Sequence, residues 1–391
     1  MIHASQGTAS KIGIEHDRAP LGTDAPKGSG IRLRGVSKRY GGTTVVDNIN
    51  LTIEPGEFMT LLGPSGSGKT TTLNMIAGFT EITEGELLIH GRPITNVPAH
   101  KRELGVVFQN YALFPHMTVR ENIEYPLKRR RIDKPRRQSM VRKALEMVRM
   151  EDFSDRFPSE LSGGQQQRIA LARALVFGPN VLLMDEPLGA LDKKLREWLQ
   201  SEIKRIHREV GTTFVFVTHD QEEALSMSDR IAVFNNGKIE QVGTAVELYE
   251  SPATLFVGQF LGESTILEGT VQADHHGNSV IEFAGHKLIA RGETSSKRAT
   301  ILIRPENLQL LQASDSRESP SGHNAIPATV STATYLGSGW RYEVSLPGGI
   351  TGVVRTAHDT HRFAPGQGAI MAWRITAGVL LPVHDQNTNP A

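Results

Sequence analysis

Gly63-Pro64-Ser65-Gly66-Ser67-Gly68-Lys69-Thr70 sets two glycines five residues apart and follows the second with lysine and threonine, the spacing of a phosphate-binding loop. Residues 58–62 before it form an apolar run that reads as a strand, and residues 70–77 after it read as a helix. In that setting the glycines let the backbone curl. Successive N–H groups and the positive end of the helix then face an anion. Lys69 adds a point charge for β- and γ-phosphate oxygens. Thr70 offers a hydroxyl to Mg2+, an ion that keeps most of its waters and takes one or two protein oxygens. The stretch predicts binding of a nucleoside triphosphate, ATP or GTP, with Mg2+.

Outward from the loop, residues 31–262 alternate short apolar strands with amphipathic helices, which predicts a layered α/β domain. Residues 181–184 and 214–217 are continuous apolar runs, as expected of strands covered on both faces. Between them Leu195, Leu199, Ile203, Ile206 and Val210 recur at helical spacing and predict a core-packed helix. From residue 263 to 391 the texture changes to strand-like runs at 300–303, 328–335, 341–346 and 370–375, separated by Gly, Pro, Asn and Asp turns. That predicts a separate all-β, barrel-like domain. Residues 1–30 lack either periodicity and read as a disordered tail.

Composition narrows the classes. The chain has 391 residues, enough for two or three domains, and its net charge of +1 gives no global field for nucleic acid or an anionic membrane. It has no cysteine, which excludes disulfides, thiolate metal sites and cysteine nucleophiles and suits a reducing compartment. No apolar run reaches the roughly eighteen residues of a membrane span, and no signal-peptide core is visible. A soluble protein is expected, with any membrane role exercised through a partner.

Two further motifs bear on chemistry. Residues 181–187 form an apolar strand ending in Asp185-Glu186-Pro187, with Pro187 as the stop. Asp185 is placed to hold Mg2+ through water, and Glu186, one residue further, to orient and polarise an attacking water. In Leu161-Ser162-Gly163-Gly164-Gln165-Gln166-Gln167, Ser162 and Gln165 make a capping-box pattern ahead of a helical run at 169–177, a second glycine-rich helix start suited to an anion.

With these motifs in this order, the chain resembles the ATP-binding cassette ATPases, whose signature sequence matches Ser162, Gly163, Gly164 and Gln165. The resemblance implies a P-loop fold with a helical subdomain at about 110–165, and a signature that closes over ATP held by a second cassette. A chain with one cassette is then expected to work as a head-to-tail dimer. The same resemblance gives Thr71 a place beside the phosphates and Tyr40 a place stacked on adenine. It makes Gln109 a reporter of Mg2+ and γ-phosphate, puts Asp192 in a loop crossing the dimer interface, and has His219 contact the γ-phosphate. Gly189 departs from the pattern, since many relatives carry serine there.

Residues 105–123 are similar to the segment of importer cassettes that receives the coupling helix of a transmembrane permease subunit. Ile303-Arg304-Pro305-Glu306 and Tyr335-Leu336-Gly337 resemble the paired oligonucleotide-binding-type barrels, the TOBE region, of the same importers. Despite the name of that fold, nucleic-acid binding does not follow. The resemblance implies an importer ATPase on the cytoplasmic face of the inner membrane, held there by permease subunits and coupled indirectly to a solute-binding receptor. Residues 185–197 and 214–230 most resemble polyamine (spermidine/putrescine) importer subunits; ferric-iron, sulfate and sugar importers share the architecture. A soluble regulatory or DNA-repair cassette ATPase is the alternative of another class, and the repair type would need a coiled-coil insertion or a second cassette. The basic run at 128–137 lacks interleaved aromatics and reads as a solvated helix surface, and His275-His276-Gly277-Asn278 reads as a turn rather than a metal site.

Overall fold

The computed structural model describes residues 28–189, 192–275, 277–312, 322–358 and 361–382. Residues 1–27 of the expected tail, Ala190 and Leu191 of the Asp192 loop, and His276 lie outside the described residues.

The first half of the α/β region comprises β1 (Ile31–Tyr40), β2 (Thr43–Ile53), β3 (Phe58–Leu62), α1 (Lys69–Ala77), β4 (Glu84–Ile89), β5 (Arg92–Pro93) and β6 (Gly105–Val107). Three helices follow: α2 (Val119–Arg129), α3 (Lys134–Val148) and α4 (Gly163–Leu175). The region is completed by β7 (Val181–Asp185), α5 (Lys193–Val210), β8 (Thr213–Thr218), α6 (Gln221–Met227), β9 (Arg230–Asn235), β10 (Lys238–Gly243), α7 (Ala245–Glu250) and α8 (Leu255–Phe260).

Six of the strands form one sheet in the order β10-β9-β3-β8-β7-β6, parallel except for the β9/β10 hairpin. The apolar runs become its centre: every residue of β3 and β8 is buried. Strand alternation sends their side chains to opposite faces. Phe214 and Phe216 join a core with Ile123, Leu145 and Ile169 of the helical layer. Val215 and Val217 join a second core with Ile76 of α1 and with Leu33, Leu51 and Leu87 of an antiparallel sheet ordered β2-β1-β4-β5. Helix starts follow local chemistry. Thr118 and Glu121 close a capping box on α2, Ser162 and Gln165 close one on α4, and the Asp192 side chain accepts from Leu195 N at the start of α5.

From Thr265 onward the described chain is almost entirely strand: β11 (Thr265–His275), β12 (Asn278–Phe283), β13 (His286–Arg291), β14 (Arg298–Ile303) and β15 (Gln309–Gln312). After these come β16 (His323–Tyr335), β17 (Gly339–Ser345), β18 (Thr351–Ala357), β19 (Gly368–Arg374) and β20 (Gly378–Pro382). Strands β11-β12-β13-β20-β14 close a barrel, and β15-β19-β16-β17-β18 form a second sheet whose edge strands are not hydrogen-bonded neighbours. Both pack around one core that includes Leu267, Ile301, Tyr342 and Trp373.

Candidate nucleotide site

Three neighbouring parallel strands bring the site together. Leu62 of β3 pairs with Thr218 of β8, and Val217 pairs with Asp185 of β7. The residues that follow, Gly63, His219 and Glu186, therefore leave the sheet side by side at its carboxyl edge, where ligands of open α/β sheets bind.

The phosphate loop is shaped by its glycines. A Cβ on Gly63 would come within 2.3 Å of Phe234 O, and Gly68, the residue before α1, has φ 99°. Lys69 is buried, and its Nζ donates to Gly63 O and Pro64 O, each at 2.8 Å. Burial pulls the Lys69 ammonium below its usual range, while the charges of Glu186 and Asp185 oppose that shift. Ser65, Gly66 and Thr70 are exposed on the outer side of the turn.

Thr70 Oγ1 donates to Asp185 Oδ1 at 3.0 Å, linking the loop to the end of β7. Burial raises the Asp185 carboxyl, and nearby Glu186 raises it further; the Thr70 hydroxyl and Lys69 act in the opposite sense. A hydroxyl and a carboxylate in contact form a hard-oxygen donor set that fits Mg2+. Glu186 has φ 42°, a left-handed conformation uncommon for a side-chain-bearing residue, and its carboxylate faces two partners. Gln109 Nε2 lies 3.5 Å from one oxygen, and His219 Nδ1 lies 3.2 Å from the other. Thr70, Asp185, Glu186, Gln109 and His219 thus form one group of side chains around the sheet edge.

Behind Glu186 and His219 is a cavity of about 80 Å3 that Arg196, Thr218, Asp220 and Glu223 also line. Thr218 Oγ1 donates to Glu223 Oε2 at 2.6 Å, and Arg196 Nη1 lies 3.2 Å from Asp220 Oδ2. Sequence reasoning missed these four residues. Asp220 and Glu223, one and four residues after His219, carry the acidic signal of a helix start, and Asp220 does cap α6.

The Rubrobacter xylanophilus spermidine/putrescine import ATP-binding protein PotA is 47% identical to this chain over 351 residues, covering 88% of this chain and 91% of the relative. The Thermobifida fusca protein of the same name is 46% identical over 363 residues, covering 90% and 93%. This chain belongs to the ABC transporter family of ATP-binding proteins. The family model described as ABC transporter matches residues 46–189, and one described as TOBE domain matches residues 301–381. Among solved structures, the dimeric ATP-binding cassette MJ0796 in a post-hydrolysis state bound to ADP and Pi superposes with a TM-score of 0.50 at 36% identity. It covers 55% of this chain and 98% of its own.

The other cassette positions make their contacts elsewhere. Ser162 N donates to Gln165 Oε1 at 2.8 Å within the α4 capping box, and Gly164 lies against Leu195 of α5. Tyr40, half exposed at the end of β1, has Lys38 Nζ 4.8 Å from its ring centre. In the 105–123 segment Tyr111 and Leu113 pack against the helical core, whereas Phe108 is exposed and stacks at 5.6 Å on exposed Phe79 from the end of α1. The basic run at 128–137 is engaged locally. Lys128 and Arg137 both pair with Glu124, and the Arg130 guanidinium lies 3.6 Å over the Phe177 ring.

Proposed function

We propose that this chain powers uptake of polyamines of the spermidine/putrescine class. ATP hydrolysis as the driving step rests on the Glu186 carboxylate, one residue beyond Asp185 and held between His219 and Gln109 at the carboxyl edge of the sheet. The solute assignment is supported by relatives named for spermidine and putrescine that align along about nine-tenths of the chain, C-terminal domain included.

In this reading Tyr40 stacks on adenine, and the turn from Gly63 to Gly68 presents backbone N–H groups to the phosphates, with Lys69, Thr70 and Thr71 at the helix start. Thr70, Asp185 and Gln109 would hold Mg2+, which when bound supplies positive charge to the phosphate oxygens. Glu186 orients and polarises the attacking water. His219, steadied through Nδ1 by Glu186, presents its other ring nitrogen to the γ-phosphate. A second copy, head to tail, brings Ser162, Gly163, Gly164 and Gln165 over the nucleotide, with Asp192 at the junction. Closure drives the permease subunits toward one state, and hydrolysis resets them. No helix among the described residues is long and apolar enough to cross a membrane. Permease contacts accordingly hold the chain at the cytoplasmic face of the inner membrane, and a solute receptor is coupled through the permease.

Uptake of labelled spermidine in cells lacking this chain, complemented with wild type or Glu186→Gln, tests the assignment. Ferric-iron, sulfate and sugar uptake are followed in parallel. Polyamine uptake restored only by wild type is expected. Restoration of another solute in its place would assign a different importer.

A further inference from the structure

The backbone just after Gln109 is strained and held in place from a distance. Tyr111 and Ala112 have φ 60° and 46°, two consecutive residues with side chains in the left-handed region. Such conformations persist only where the surroundings over-determine them. Here the surroundings include Arg173, in the last turn of α4. Its Nη1 donates to Ala112 O at 2.7 Å, and its Nη2 donates to Tyr111 O at 2.8 Å. One planar guanidinium therefore grips both strained peptides at once, with the two-pronged geometry that arginine supplies and lysine does not.

The residues beyond are fixed independently. Asn122, fully buried in α2, accepts from Phe114 N at 2.8 Å and donates to Phe114 O, Met117 O and Thr118 O at 3.0–3.1 Å. Release of the Arg173 contacts thus leaves the Tyr111 and Ala112 carbonyls without their side-chain donor, and the left-handed turn is then held only by its own N–H bonds to Asn110 and Phe108 and by Tyr111 packing, while 114–118 stay anchored. Gln109 is exposed just before that turn, and its amide is only just within reach of Glu186, at 3.5 Å. At that distance, a rotation passed back from the Tyr111–Ala112 peptides to Gln109 would take the amide out of range.

We propose that Arg173 is a positioning residue for Gln109: by clamping the left-handed turn at Tyr111 and Ala112 it aims the Gln109 amide at Glu186. The clamp sits on the helix that begins at Ser162, about 16 Å away along α4. Displacement of the signature end of α4 is therefore carried by a rigid helix to the aim of Gln109. This rests on the reading of Gln109 given under the proposed function.

The test is a double-mutant cycle on the full-length chain with Arg173→Gln, Gln109→Ala and the pair, measuring kcat, KM for ATP and the Mg2+ concentration at half-maximal rate. Arg173→Gln should lower kcat about tenfold and raise the Mg2+ requirement, with KM for ATP changed less than about twofold. In the Gln109→Ala background it should cost less than about twofold further, because the group it aims is gone. Arg173→Lys keeps the charge and is expected to recover part of kcat. If Arg173→Gln does not fold, the same cycle with Arg173→Lys carries the same prediction of non-additivity. Losses that multiply across the cycle, or an Arg173 variant with wild-type kcat beside an impaired Gln109→Ala, would overturn the proposal. A Gln109→Ala chain with wild-type kcat and Mg2+ dependence would instead remove the underlying role of Gln109, and the proposal with it.

Discussion

Glu223 shows what a single buried side chain does in the cavity behind Glu186 and His219. Burial raises its carboxyl above the ordinary glutamate range; the Thr218 hydrogen bond and the Arg196 and His219 charges oppose this, while Asp220 adds to it. A carboxyl raised on folding keeps its proton to higher pH in the folded chain than in the unfolded one. Its contribution to stability is fully present below the unfolded value and is lost as pH rises through the folded value. Glu223→Gln cannot titrate. Wild type should therefore lose stability relative to Glu223→Gln as pH rises from about 4 towards 7. Urea unfolding of both chains across that range checks this, and a constant difference between them would contradict it. The placement of Lys69, Asp185 and Glu186 beside strand ends was legible because it depends on fixed spacing from the apolar runs. Sequence did not reveal Arg196, Glu223 or Arg173. Arg196 pairs with the Asp220 carboxylate 24 residues on, Glu223 accepts from the Thr218 hydroxyl five residues back and signals only a helix start, and nothing local marks Arg173 for backbone carbonyls more than 60 residues away.

Elements were legible where periodicity and burial agree. The apolar runs at 58–62, 181–184 and 214–217 are the interior strands β3, β7 and β8, and the helical spacing from Leu195 is α5. The β2-β1-β4-β5 sheet was not foreseen. Its strands are only partly buried, β4 carrying a single fully buried residue, and β1 pairs with β4 across more than forty intervening residues. The 105–123 segment refines where a permease helix should dock. Leu113 is partly buried against the helical core, so a charge there would weaken folding as well as binding. Phe79, just after α1 and 51% exposed against Phe108, separates the two effects. Phe79→Asp should leave ATP affinity and thermal stability near wild type and abolish co-purification with the permease subunits. An intact complex would move the docking surface elsewhere.

At the scale of the whole molecule, the change of texture near residue 263 coincides with a seam rather than a loose tether. Arg304, buried at the end of β14, donates to Tyr249 O, Gly258 O, Gly262 O and Ser264 Oγ, and its guanidinium lies 4.0 Å from the Tyr249 ring centre. The carbonyls it satisfies belong largely to α7 and α8, so the C-terminal domain completes the hydrogen bonding of the cassette's last two helices. Arg304→Ala leaves several buried acceptors without a donor, at about 1–3 kcal/mol each. The expected loss is roughly 3 kcal/mol or more in chemical unfolding, with ATP affinity retained, since every residue proposed for phosphate chemistry precedes residue 263. Loss of ATP binding from a folded Arg304→Ala chain would refute that division.

In the proposed function Glu186 activates water in a nucleotide site completed by a second copy of the chain. Full-length Glu186→Gln, measured for ATP affinity, turnover and molecular mass with Mg2+ and ATP, tests it most directly, with Lys69→Ala as the comparison that should lose phosphate binding itself. Glu186→Gln should keep wild-type ATP affinity, hydrolyse ATP at least about a hundredfold more slowly, and accumulate as an ATP-dependent dimer. Hydrolysis at the wild-type rate, or a monomer at saturating ATP, would contradict it.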